Sequence, residues 1–309
     1  MKNVVFLILC LGITSCAHKK IANITAEEKK VEAQAVTLAL PSISFEVKDG
    51  ILHPESVIYS AKHKAIFLSN IANGNAVETE KVSYISKLAP SGKMLKAKWV
   101  TGFRAPKGMA IVKDYLYVAD IDRLVKIDIK KAKILKTWEL PTAKFLNDVV
   151  ADKFGNIYVS DMFENTIYKL DNDGIKIWLK SSKLAGPNGL FTDGNQHLLV
   201  CLWGEKLNPQ NFVTETPGGV ISIDLKKPQD DFVIEPSVRG YLDGITADND
   251  GNLWISDWMS GDVYKMNKNG VGMKKFNLGQ GTADIFYARE LGLLLVPQMN
   301  QNKLIAIKL

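Results

Sequence analysis

The sequence predicts an all-β fold, a six-bladed β-propeller whose ring is closed by an N-terminal strand added to the C-terminal blade. Three observations predict it. First, one pattern recurs six times: PESVIYSAKHKAIFLSNI, PKGMAIVKDYLYVADI, LNDVVADKFGNIYVSDM, PNGLFTDGNQHLLVCLW, LDGITADNDGNLWISDW and TADIFYARELGLLLVPQM. In each, a small or charged residue leads a short apolar strand, a turn follows, and a second strand usually ends in Asn, Asp or Gln beside a bulky apolar residue. Second, the copies lie about 40 to 55 residues apart, each continued by one or two further alternating strands; that is the mark of a blade repeated around an axis. Third, no segment sustains a 3.6-residue period with caps, so a strand-helix alternation is unsupported.

The chain opens with a segment that stands outside the fold. Met1-Lys2-Asn3 gives a positive start, and Val4 to Leu11 is an apolar stretch far too short to span a membrane. It runs into Ile13-Thr14-Ser15-Cys16, which resembles a bacterial lipobox, where the cysteine thiol carries the lipid and becomes the new N-terminus. Residues 1–15 are thus expected to be a lipoprotein signal peptide, and residues 16–41 the lipidated Cys16 with a polar, flexible tether. Acyl chains contribute about 0.8 kcal/mol per buried methylene, so they anchor the body while leaving it out of the bilayer. By the sorting patterns this resembles, Ala17 after the cysteine favours the outer membrane, on its periplasmic or surface face. Cys10 leaves with the leader and Cys16 is taken by lipid, so only Cys201 remains and no internal disulfide can form. Its place inside HLLVCLW reads as a buried packing thiol.

Residues 42–309 form the propeller. Blade three reads as NDVVAD, NIYVSDM, TIYKLD and IKIWLK, and blade five as DGITAD, NLWISDW, DVYKMN and GMKKFNL, each divided by Gly, Asn and Asp turns. The last copy supplies only ADIFYA, GLLLVPQ and KLIAIKL, and SISFEV has no other partner. Adding SISFEV as the outer strand of that blade removes an exposed edge and locks the ring. A net charge of +6 over 309 residues, with scattered lysines, describes a solvated surface and no nucleic-acid patch.

Aligned on the inner strand, the copies place Glu55, Lys107, Asn147, Asn188, Asp243 and Ala283 at one ring position, 13 to 15 residues before Asn70, Asp120, Asp161, Leu202, Asp257 and Gln298. Two carboxylates and two amides converging there make a hard, oxygen-only site that suits Ca²⁺, and also Mg²⁺ or Mn²⁺. The same residues would equally line a water-filled channel. Asp120, Asp161 and Asp257 read as turn caps.

The segments PESVIYS, FLNDVVADKFGNIYVSDM, GPNGLFTDG and YLDGITADNDGNLWISDW resemble the SMP-30/gluconolactonase family of six-bladed propellers, over residues 42 to 309. The resemblance implies a divalent metal, Ca²⁺ foremost and Mg²⁺, Mn²⁺ or Zn²⁺ as others, held by Glu55, Asn188 and Asp243 with Asn147. It implies metal-assisted hydrolysis of a lactone or related ester, with Asp243 as base and Asn147 orienting substrate. Two departures qualify the substrate: Phe145 stands where many sugar lactonases carry Arg, and Lys107 puts a cation near the metal. Lys107 either pairs with Glu55 or Asp148, or joins Asn147 and Asp148 in binding an anionic substrate. The expected partner is therefore a small molecule, with a monomeric body and membrane contact through the lipid alone. The alternative is a non-catalytic, envelope-anchored NHL-like propeller that binds a sugar, peptide or protein, for which Trp203 and Trp258 would serve. The sequence carries no GxSxG, HExxH or GxxxxGK[ST] motif.

Overall fold

The computed structural model describes residues 35–192, 196–228, 232–267 and 273–309, with only the backbone given for 232–237. The expected signal peptide, Cys16 and the tether to residue 34 lie outside the described residues. Among the described residues the strands form six sheets, one per predicted blade, four of them built from consecutive strands alone. Blade one is Pro54–Ser60, Ala65–Asn70, Ser83–Leu88 and Met94–Phe103, and blade three is Leu146–Ala151, Ile157–Asp161, Thr166–Asp171 and Gly174–Lys180. Blade four inserts a two-residue strand, Gly204–Glu205, which pairs with the start of Thr216–Asp224.

The alternation that marked the strands is a consequence of how blades stack. Each sheet buries both faces against its two neighbours, so apolar residues from adjacent blades interdigitate. Phe67 and Ile85 of blade one meet Met109, Val118 and Ile127 of blade two. The same arrangement closes the circle, with Leu68 and Leu88 against Leu295, Leu304 and Ala306 of blade six.

Closure follows the expected route. Ile43–Val47 pairs antiparallel with Lys303–Lys308, so blade six is built from both ends of the body. The structure adds a second clasp within the stretch whose composition reads as tether: Val36–Thr37 pairs in parallel with Lys274 and Lys275 at the outer edge of blade five. At the hub, Ser56 and Asp284 form a parallel bridge, and the Asp284 N–H donates to Glu55 O at 2.9 Å. Leu304, Ile305, Ala306 and Ile307 are all buried. Burying each large apolar side chain is worth about 1.5–3 kcal/mol, so this strand alone matches much of a typical domain stability of about 5–15 kcal/mol. Deleting residues 303–309 is therefore expected to unfold the whole body, and an unchanged thermal transition would contradict this account of closure.

Candidate active site

Every inner strand is kinked where the ring residues lie. In blades one to five the pairing of inner and second strands slips between Pro54 and Val57, Pro106 and Met109, Leu146 and Val149, Pro187 and Leu190, and Leu242 and Ile245. Such a bulge sets two residues against one and re-aims their side chains. Just before it, Pro54, Pro106, Leu146, Pro187 and Leu242 pair with Asn70, Asp120, Asp161, Leu202 and Asp257, and Thr282 pairs with Gln298. The next residue in all six blades is the aligned one: Glu55, Lys107, Asn147, Asn188, Asp243 and Ala283. The pairing register thus sets the six aligned residues at equivalent positions of their blades, with Glu55, Lys107, Asn147 and Asn188 reaching the lining of one cavity and Asp243 buried outside it.

The second-strand acids hold the entry to these bulges. Asp161 Oδ1 and Oδ2 accept from the N–H of Phe145 and Lys144, each at 3.0 Å, and Asp120 Oδ1 accepts from Ala105 N–H at 2.8 Å. Asp257 Oδ1 accepts from Met259 and Ser260 N–H at 3.0 and 2.9 Å. Asp257 and Asp161 cap the turns that follow them, whereas Asp120 binds the Arg104–Ala105 backbone and pairs with the Arg123 guanidinium. A serine one residue earlier joins neighbouring blades: the Ser160 hydroxyl donates to Asn188 O, and that of Ser256 to Ala283 O, both at 2.8 Å. Cys201 is a buried free thiol, and burial with the nearby Asp243 charge pushes its pKa well up, so it stays a packing group.

Because each bulge presents two residues, a second ring follows the first: Ser56, Gly108, Asp148, Gly189, Gly244 and Asp284. The sequence alignment stopped one residue short of Asp284, which is the fourth axial carboxylate. The glycines make room for the acids. A Cβ at Gly108 would collide with Asp148 Oδ1, and one at Gly244 with Asp284 Oδ1. Asp284 Oδ2 accepts from the Ser56 hydroxyl at 2.5 Å, while Asp148 accepts from Val149 and Leu190 N–H, both at 2.6 Å.

Two cavities meet this double ring from opposite sides. The front one, about 650 Å³, has Glu55, Lys107, Asn147 and Asn188 among its lining residues, together with Phe145, Met162, Trp203 and Trp258. The rear one, about 440 Å³, includes Asp148 and Asp284 with Thr192, Thr246 and Tyr287. Asp148, expected beside Asn147 at the substrate, therefore lines the rear cavity with its oxygens held by backbone amides. Lys107, 1% exposed, forms a salt bridge with neither Glu55 nor Asp148. Its ammonium donates to Ala76 O at 2.9 Å and Ala105 O at 3.1 Å, and lies 4.3 Å from the centre of the Phe145 ring.

The electrostatics of this hub are one-sided. Burial, then the Asp243 charge, pushes the Glu55 carboxyl well above the usual carboxylate range, with Lys107 acting against them. Burial and Asp284 do the same to Asp243, opposed by a hydrogen bond from Asn188. Burial lowers Lys107 to about 8, against the pull of Glu55. Glu55 Oε2 is buried with no hydrogen-bond partner. Among the described residues no three His, Cys, Asp or Glu side chains are grouped to hold a metal ion. The donor set here is instead two carboxylates and two amides, and the orphaned Glu55 oxygen with its mutually repelling neighbours fits a hard divalent cation.

Lys107 would oppose such a cation. Lys107→Met is expected to tighten Ca²⁺ binding on the order of tenfold, because a positive neighbour of Glu55 is removed. It should also quicken amide exchange in residues 71–82, whose Ala76 carbonyl loses its donor. Calorimetry showing equal or weaker Ca²⁺ binding would contradict this reading of the charge balance.

A six-bladed propeller with oxygen donors gathered at the front of its axis defines the class of protein. The model of the SMP-30/gluconolactonase/LRE-like region matches residues 53–296, and the chain belongs to that family. It is 24% identical to a pentonolactonase of Haloferax volcanii over 136 residues, 43% of this chain and 45% of that protein, so the match spans less than half of the relative. Among solved structures, a calcium-binding regucalcin of Agrobacterium tumefaciens superposes with a TM-score of 0.60 at 14% identity, covering 89% of this chain and 95% of that one. A virginiamycin B lyase of Staphylococcus aureus does so with a TM-score of 0.56 at 16% identity, covering 86% and 98%. At such identities these two structures speak to the fold alone.

Proposed function

We propose that this chain is a metal-dependent hydrolase that opens a lactone or related ester in the front cavity. The observation that carries the proposal is the convergence of Glu55, Asn147, Asn188 and Asp243 from four bulges, with Glu55 Oε2 buried and unpaired. Family membership and the pentonolactonase match support the reaction class.

Glu55, Asn188, Asp243 and Asn147 would hold the cation, Ca²⁺ foremost. When bound, a divalent ion polarises the ester carbonyl and stabilises the charge that develops on its oxygen. Asp243 takes a proton from the water that attacks the carbonyl carbon and returns it to the ring oxygen as the C–O bond breaks. The Asn188 amide, bonded to the Asp243 carboxylate, fixes its orientation. Asn147, whose Nδ2 has only Met162 Sδ at 3.7 Å among its recorded bonds, retains capacity to orient the substrate. The aromatic walls keep bulk water from these groups.

A panel of lactones, aryl esters and phosphoesters, assayed after chelation and again with each divalent ion restored, tests the proposal. Metal-dependent turnover of a lactone or ester is the expected result. Absence of both metal binding and turnover would leave the alternative, a binding propeller, and metal binding without turnover a degenerate enzyme that keeps a structural metal. We propose in addition that the body is exported and held at the cell envelope through Cys16. The pattern of residues 4–16 supports this, and an unmodified Cys16 in the mass of the membrane-extracted protein would exclude it.

A further inference from the structure

The walls of the front cavity differ chemically from its floor. Glu55, Asn147 and Asn188 bring polar groups to the floor, while Phe145, Met162, Trp203, Phe212, Trp258 and Met299 supply the sides. The rings form a connected cluster. Phe145 stacks on Phe163 at 4.5 Å between centres and meets Phe212 edge-on at 5.6 Å; Trp203 lies 6.3 Å from both Phe212 and Trp258.

Several of the polar atoms near these walls are already engaged, and those that retain capacity, such as the Gln210 amide, sit among the loop residues of the rim. Trp203 Nε1–H donates to Phe212 O at 2.8 Å, so the indole offers carbon to the cavity. The Lys107 ammonium uses two donors on Ala76 O and Ala105 O and faces the Phe145 ring with its remaining charge. At the rim, Asn75 Oδ1 and Asn211 Oδ1 accept from Val77 and Val213 N–H of their own loops. Phe212 has a φ of 59°, a region unfavourable for a bulky residue. It is held there by its N–H to Asn208 O and its carbonyl to Trp203, both at 2.8 Å. Such local strain persists where surrounding structure enforces it, and clusters at ligand sites.

Resting on the hydrolase reading above, we infer that the substrate is a lactone or ester bearing an extended alkyl or aryl chain, with the chain against the aromatic walls and the ester over the floor. A polyhydroxylated lactone would leave most of its hydroxyls facing rings and thioethers, losing hydrogen bonds to water that the few polar groups of floor and rim replace only in part. A cavity of about 650 Å³ has room for ring and chain together. Met162 and Met299 add adaptable contact along the chain.

The test separates binding from turnover. Calorimetry of the Ca²⁺-loaded full chain would use 5-alkyl pyrrolidin-2-ones from methyl to octyl, which mimic the lactone but resist hydrolysis, and a polyhydroxylated lactam of equal ring size. Affinity is expected to rise about fourfold per added methylene until the chain fills the cavity. The polyhydroxylated lactam should bind no better than the unsubstituted ring. In Phe212→Ala and Trp258→Ala the dependence on chain length should flatten. A flat series in the wild-type protein, or tighter binding of the polyhydroxylated lactam, overturns the inference without reference to either variant. Turnover of the matching lactones is scored separately. Steep chain-length dependence with no turnover would sustain the apolar site and refute the hydrolase, whereas turnover confined to polyhydroxylated lactones would do the reverse.

Discussion

Asp243→Asn is expected to lower turnover about 10³-fold or more and Ca²⁺ affinity at least about 100-fold, while raising the melting temperature of the metal-free protein. The first two effects follow from the roles assigned to the carboxylate, as base and as an anionic ligand. The third follows from burial. Asp243 is 4% exposed and its carboxyl is pushed well up by burial and by Asp284. A carboxyl whose folded pKa exceeds its unfolded value costs stability once the pH is above the unfolded value. Asn keeps the shape and an oxygen for the Asn188 amide, and removes the charge. The gain should appear as a higher melting temperature of the chelated variant at neutral pH. A purely structural role would show the reverse, a less stable protein with intact turnover. Either unchanged Ca²⁺ affinity or unchanged turnover in this variant would refute the site as assigned.

What the sequence made legible was the ring, and the reason is local. Each second strand ends at the residue paired just before the bulge, so counting back from Asn70, Asp161 or Asp257 lands on Glu55, Asn147 or Asp243. Asp284 escaped because the bulge doubles the number of axial residues, and a bulge is not visible as a change in polarity. The signal was nevertheless present: Gly108, Gly189 and Gly244 follow three of the ring residues, and glycine there means close approach by something larger. Val36–Thr37 gave no warning, since two residues cannot show alternation. Phe212 gave none either, because it enters the cavity from a 203–215 loop whose path depends on Trp203. The sequence offers Lys107 as a partner of Glu55 or Asp148, or of an anionic substrate; the structure turns its ammonium to Ala76 O, Ala105 O and Phe145.

The four buried carboxyls also predict how stability should depend on pH. Burial pushes Asp284 up to about 7, against a hydrogen bond from Ser56, and raises Glu55, Asp148 and Asp243 as well. Between about pH 4, where such groups ionise in the unfolded chain, and about pH 7, the folded protein binds more protons than the unfolded one. Stability of the chelated protein should therefore fall as pH rises through that window, by on the order of 4 kcal/mol from Asp284 alone. Glu46, Asp114 and Asp171 have lowered pKa values through their lysine and backbone partners and slope the other way. They sit at the surface, where solvent and salt weaken such pairs, so the buried groups should dominate. Ca²⁺ should weaken the trend, since at Glu55 and Asp243 it replaces protons as the counter-charge. At a concentration 100 times its dissociation constant it stabilises by about 2.7 kcal/mol. The rise in melting temperature on adding Ca²⁺ should be larger at pH 7.5 than at pH 5, where protons must first be displaced. Equal Ca²⁺ shifts at the two pH values would mean that the cation does not displace protons at Glu55 and Asp243, and a chelated protein that gains stability between pH 5 and 7 would mean that burial does not govern the axial acids.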